Sequence, residues 1–200
     1  MTEAKVSVSW AVRMLIAGAA FVGFGCWSLY DGKIKYPKVE QTFQQYHEAG
    51  RSEEWVAFAG EKGWKKEWKK NPQTGQTQIY SEWDIRTQFI MAAICLPIGF
   101  FTLTRLILTL PRTLRADEEA LHGTDGRRIP YRDMVDIDKR KWDRKGIAVV
   151  RYEIDGRRGK AKIDDWIFKD GAAVLAEVER HVNPPADDDP EASALQETNA

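Results

Sequence analysis

Cysteine and histidine are scarce in this chain of 200 residues, with two of the first and three of the second. Cys26 and Cys95 both fall inside apolar runs. Neither a disulfide framework nor a cysteine-based metal site is expected from them, and they read as small apolar packing residues. His47, His122 and His181 lie in three different segments. No HExxH, nucleophile elbow, phosphate loop or cysteine–histidine cluster is present. Asp164 and Asp165 are neighbours, so on a strand they point to opposite faces and do not form an acid/base pair. An excess of one charge is also missing: 30 lysines and arginines balance 30 carboxylates, which gives no electrostatic footprint for nucleic acid. The expectation is a non-enzyme with no catalytic residues, no metal, no cofactor and no nucleic-acid partner.

Long apolar runs are what the chain does have. The mean hydropathy is −0.49, although two stretches are strongly apolar, so the segments between them must be very polar. Residues 87–110 form the clearer run. Its apolar core, Phe89–Leu110, has 22 residues, and a helix of that length covers about 33 Å against a hydrocarbon thickness of about 30 Å. Its one charge, Arg105, is close enough to the end to snorkel to the headgroups. Pro97 and Gly99 suggest a kink, which membrane helices tolerate. The other run, residues 10–30, is bracketed by Trp10 at one end and Trp27 and Tyr30 at the other, where interfacial aromatics belong. Ala19 and Gly23 make a small-xxx-small pair suited to close helix contact. Trp27–Tyr30 offers no small-residue cleavage site, so an uncleaved anchor is expected rather than a signal peptide.

Residues 31–86 form the loop between the two runs, with residues 1–9 as an N-terminal segment before the first. Val39, Phe43 and Tyr46 at helical spacing predict a helix over 38–49, with Pro37 at its start. Ser52 and the stripe Trp55, Phe58 and Ala59 predict another over 52–62, stopped by Gly63. Residues 71–75 are turn-forming, and 76–80 suit a short strand. Four tryptophans crowd this loop: Trp55, Trp64, Trp68 and Trp83. They are read as the core of a small subdomain or as rings at the bilayer surface, with a ligand-binding aromatic patch as the other reading.

The region 111–182 changes character. Residues 114–121, 127–130, 135–142, 147–154 and 159–163 read as about five short antiparallel strands separated by HGTDG, DRKG and DGRRG, the last carrying the Asp155–Gly156 hairpin signal. Val174, Leu175, Val178 and Val182 share one face of a closing helix over 171–182. The expected fold class is therefore a membrane α-helical hairpin plus a small α+β domain. Residues 183–200, with Pro184, Pro185, Pro190 and the acidic Asp187–Asp189, are expected to be a disordered tail.

The stretches EEALHGTDGRRIPYRDMVDIDKRKW and KGIAVVRYEIDGRRGKAKIDD, followed by the closing helix, resemble the bacterial pleckstrin-homology-like domains that follow paired membrane helices. The resemblance covers Leu114–Val182, and Met134, Val135 and Ile137 stand where that family has an I-x-x-I-like stretch. It implies a multi-pass protein of the bacterial inner membrane with both termini in the cytoplasm. Charge alone hardly orients the chain: Lys5, Arg13, Arg105, Arg112 and Arg115 flank the runs on one side, Lys33, Lys35, Lys38 and Arg86 on the other.

The basic clusters of 111–182 are the remaining candidates. A simple meander starting at the membrane places HGTDG and DRKG at the far end of the sheet and DGRRG at the near end. Arg157, Arg158 and Lys160 are then expected to face lipid headgroups, while Lys139, Arg140, Lys141, Trp142, Arg144 and Lys145 form a tip for a membrane-protein partner. The functional expectation is a non-catalytic binding or scaffolding unit, an accessory subunit of a larger membrane complex. The alternative is a homo-oligomeric transporter or channel component.

Overall fold

The chain opens on a strand where nothing in the sequence marks one. In the computed structural model, which describes residues 1–72 and 74–182, β1 is Thr2–Val6 and leads directly into α1, Val8–Tyr30. A π-helical turn over Asp31–Lys35 joins α1 to α2, Tyr36–Glu48, so Val8–Glu48 is one continuous helical stretch. The elements α3 (Ser52–Lys62), β2 (Lys69–Lys70), β3 (Thr77–Gln78) and α4 (Glu82–Thr109) follow. After α4 come β4 (Thr113–Ala116), β5 (Ala120–His122), β6 (Arg128–Pro130) and a 3-10 turn over Tyr131–Asp133. The remainder is β7 (Met134–Lys141), α5 (Trp142–Lys145), β8 (Ile147–Ile154), β9 (Arg157–Asp164), β10 (Phe168–Lys169) and α6 (Gly171–Val182). The stretch expected to be a disordered tail lies outside the described residues.

Among the described residues two helical stretches are long and apolar enough to cross a membrane: Val8–Glu48 and Glu82–Thr109. The chain divides into two compact units, one of residues Met14–Arg105 and one of Met1–Arg13 with the chain from Leu106 onward.

In the first unit α1 and α4 lie antiparallel at very short range. A Cβ added at Gly18 would come within 2.6 Å of Leu103, one at Gly25 within 2.7 Å of Leu96, and one at Gly99 within 2.9 Å of the Val22 backbone nitrogen. Leucines of α4 thus fill the space that glycines of α1 leave, and Gly99 returns the favour to Val22. Gly18 and Gly25 are seven residues apart, and Ala92, Cys95 and Gly99 follow at three and four, the 3.5-residue period of a helix pair that stays in contact along its length. The expected contact pair is not used: Ala19 is exposed, and a side chain at Gly23 would meet nothing within 4 Å. Helix α4 continues through Pro97.

The loop of this unit has its own core of Val39, Phe43, Trp55, Ala59 and Ile79. Phe43 meets Trp55 edge-on at 5.4 Å, a favourable aromatic geometry. Glu40 fastens the distant chain to α2, since its carboxylate accepts the backbone N–H groups of Ile79 at 2.8 Å and Tyr80 at 2.9 Å. The four loop tryptophans divide by role. Trp55 is fully buried and Trp64 packs at the core's edge, while Trp68 and Trp83 are exposed.

The second unit holds two antiparallel sheets, ordered β10-β1-β4-β5-β6 and β7-β8-β9. The first-met strand is thus internal: Lys5 pairs with Thr113 of β4 on one side and Lys169 of β10 on the other. The single strand expected over 114–121 is broken into β4 and β5. The Asp117 carboxylate turns the chain by accepting the N–H groups of Glu119 at 2.9 Å and Ala120 at 2.8 Å, an Asx turn. Leu114, Leu121, Ile129, Val150, Ile163, Val174 and Val178 make a common core in which α6 covers the sheets. Strand β10 escaped the sequence pattern because two residues cannot display a period.

The extra reversal at Asp117 changes which turns share an end. Strand β5 runs back toward Thr113, so the Gly123–Gly126 turn lies beside Pro111 and Arg112 in a 510 Å³ hollow. A simple meander had put that turn at the opposite end from the chain's entry into β4.

Candidate anion-binding corner

The β8–β9 hairpin is built by its turn. Asp155 and Gly156 both have positive φ, 50° and 74°, the geometry that a two-residue turn between twisted strands needs. The register that follows pairs Ile154 with Arg157, Glu153 with Arg158 and Tyr152 with Gly159. Tyr152 lies over Gly159 so closely that a Cβ there would come within 2.2 Å of the ring. The glycine makes room for the aromatic ring, which is 6% exposed. The Tyr152 hydroxyl accepts a hydrogen bond from Arg127 Nη1 at 3.3 Å, and that contact holds the guanidinium more firmly in its charged form.

Four arginines therefore border one open groove of 560 Å³: Arg127 and Arg128 at the start of β6, and Arg157 and Arg158 after the hairpin turn. Their surroundings differ. Arg127 also reaches Asp125 at 3.1 Å, Arg128 is paired with Glu119, and Arg158 reaches Glu153 at 3.1 Å on the outer face of the sheet. Among the described residues no carboxylate lies within ion-pair distance of Arg157. Guanidinium groups keep their charge across the accessible pH range and bind carboxylate and phosphate in a fork. The chemistry this corner offers is the holding of an anionic group.

The residues expected to act together are partly dispersed. Arg157 and Arg158 border the groove, but Lys160 does not, because it stands opposite Arg151 on the outer face. Two of the five cations of the proposed partner tip are neutralised from within. Lys139 pairs with Glu179 at 2.8 Å and Arg140 with Asp138 at 2.6 Å. That contact with Arg140 keeps the Asp138 carboxyl well below the usual range. Trp142 is half-buried and packs against the core instead of standing free, which leaves Lys141, Arg144 and Lys145 as its exposed cations.

A second cluster sits on the Asp117 turn. His122 Nε2 is 2.8 Å from the Asp117 carboxylate. That contact, with the two backbone N–H groups, lowers the Asp117 carboxyl to about 2, so the turn keeps its negative acceptor throughout the neutral range. Tyr152, Gly159 and Arg127 belong to the groove without being among the expected site residues. The turn type was enough to pair Tyr152 with Gly159; nothing local brings Arg127 to them.

Replacing Gly159 by valine is expected to expel the Tyr152 ring and lower stability by about 1–3 kcal/mol, the usual range for overfilling a packed site. Thermal unfolding of the full chain reads this directly. A melting temperature equal to that of the parent protein would mean that the ring does not lie over the glycine.

Comparison with family models, with curated proteins and with solved structures finds no match to this chain.

Proposed function

We propose that this is a two-span protein of the bacterial inner membrane whose β unit is a non-catalytic binding and scaffolding module of the pleckstrin-homology-like kind. It serves as an accessory subunit of a larger membrane assembly, with both termini in the cytoplasm and the Trp-rich loop on the other side. The observation that carries the reading is the place of β1. It lies between β4 and β10, so the chain enters α1 and leaves α4 at the same end of one sheet. Both long helices are thus joined by short connections to neighbouring strands of that sheet. Two antiparallel sheets with a closing helix are in keeping with the family resemblance. The binding role is supported by the groove that Arg127 and Arg157 border, because guanidinium groups hold anions without exchanging protons near neutrality.

The experiment is gentle-detergent extraction of the full chain through a C-terminal tag, with mass spectrometry and size analysis. A stoichiometric complex with another membrane protein is expected, and joint reversal of Arg127→Glu and Arg157→Glu is expected to break it. A solitary monomer overturns the proposal, as does a complex indifferent to those reversals. A homo-oligomer that conducts ions in liposomes would establish the channel alternative instead.

A further inference from the structure

A second open groove, of 540 Å³, runs along a face of α1 that faces away from its glycine contacts with α4. Its lower part is made by Gly23, Cys26, Trp27 and Tyr30, which recur at intervals of three and four and so share one face. This face is open: a side chain at Gly23 would meet nothing within 4 Å, and Trp27 is 65% exposed. Its upper part is charged. Asp31 and Lys35 continue the helix face, and Lys62 and Trp64 arrive from the end of α3. They are brought there by Gly63, whose positive φ lets the Trp64 N–H turn back to the Ala59 carbonyl at 2.8 Å.

Charge within the groove is unbalanced. The Asp31 carboxylate is occupied by Trp27 Nε1 at 2.9 Å and lies 3.8 Å from Lys35 Nζ. Among the described residues Lys62 has no carboxylate within ion-pair distance. The groove thus carries two ammonium groups and one buried carboxylate, which only Lys35 approaches. Along the helix axis, Gly23 to Lys35 spans about 18 Å. The lining changes in that distance from apolar, through indole and phenol rings, to cationic.

The geometry points to a binding site for one anionic phospholipid of the bilayer. Its acyl chain lies along Gly23 and Cys26, its ester region between Trp27 and Trp64, and its phosphate at Lys62 and Lys35. The order of chemistry in the groove is the order of chemistry in the lipid, with aromatic rings at the level where the two meet. The inference rests on α1 crossing the membrane, and resistance of the full chain to carbonate extraction tests that reading separately.

The full chain is placed in nanodiscs of zwitterionic lipid with a minor share of phosphatidylglycerol. After release into detergent, native mass spectrometry counts the retained lipid. One retained phosphatidylglycerol, enriched over zwitterionic lipid, is expected. Lys62→Glu is expected to cut its retention at least fivefold, the change that one basic group near an anionic surface supplies. Gly23→Leu, which fills the open floor without touching α4, is expected to do the same. Retention of both lipid types alike overturns the site, and so does retention unchanged in both variants. Loss with Lys62→Glu alone, together with displacement by soluble glycerol phosphate, would identify a free-anion site and overturn the lipid assignment. A protein that carbonate extracts from membranes refutes the spanning helix itself, a different failure.

Discussion

A fragment beginning at Leu106 is expected not to fold, although it contains every strand of the β unit but one. The missing strand is β1, which lies inside the five-stranded sheet and pairs with β10 and β4. Removing it exposes both neighbours' backbone groups, each costing about 1–3 kcal/mol if left buried without a partner. It also empties the core position of Ala4, which is fully buried. These losses together reach the roughly 5–15 kcal/mol by which a domain of ordinary stability holds together. The register supplies a positive control. Lys5 pairs with Thr113, so a short Asn-Gly turn joining Val6 to Arg112 replaces both long helices by a hairpin loop. This shortened chain is expected to show the near-ultraviolet circular dichroism of a packed core, and the fragment from Leu106 is not. If the fragment alone gave a cooperative thermal transition, the central place of β1 would be wrong. The practical consequence is that binding tests on the β unit require its N-terminal strand.

The second large effect is expected from Gly99→Leu. The Cβ position at residue 99 lies 2.9 Å from the Val22 nitrogen and 3.1 Å from the Gly18 carbonyl oxygen. Both are backbone atoms of α1, and neither can rotate away as a side chain would. The two helices must then separate along their contact, and the Leu96 and Leu103 contacts with Gly25 and Gly18 go with it. Between membrane helices close van der Waals contact is the main attraction, so no other term makes up the loss. The expected destabilisation is about 3 kcal/mol or more, above the common range for overpacking because the obstacle is backbone. Thermal unfolding in detergent, followed by near-ultraviolet circular dichroism, measures it. Gly23→Leu on α1, the other helix of the pair, should melt with the parent protein, because residue 23 faces open space. Equal melting of Gly99→Leu and Gly23→Leu would refute the close approach.

Much of the local structure was legible in the chain. The two apolar runs became α1 and α4 because some twenty consecutive apolar residues leave few other solutions. The expected helices over 38–49 and 52–62 correspond to α2 and α3, and the strand expected over 147–154 became β8 with the same bounds. Helix α6 followed from the spacing of Val174, Leu175 and Val178. These elements carry a hydrophobic period or a turn signal within a dozen residues.

The failures share one cause. Strand β1 has no readable period of its own and becomes a strand only because β4 and β10 offer it two ladders. The choice of Gly18 and Gly25 over Ala19 and Gly23 depends on which face of α1 meets α4, and spacing alone permits both. The corner made by Arg127, Arg157 and Tyr152 needs β6 brought beside the β8–β9 hairpin, and the Asp117 turn changed which chain reversals lie together. Sequence by itself determined the long apolar helices and those helices and strands that carry their own period, because propensity and periodicity act over one or two turns. Tertiary structure alone decided strand order, helix facing and which charges are left free, because those are set by contacts between residues from some 25 to more than a hundred positions apart.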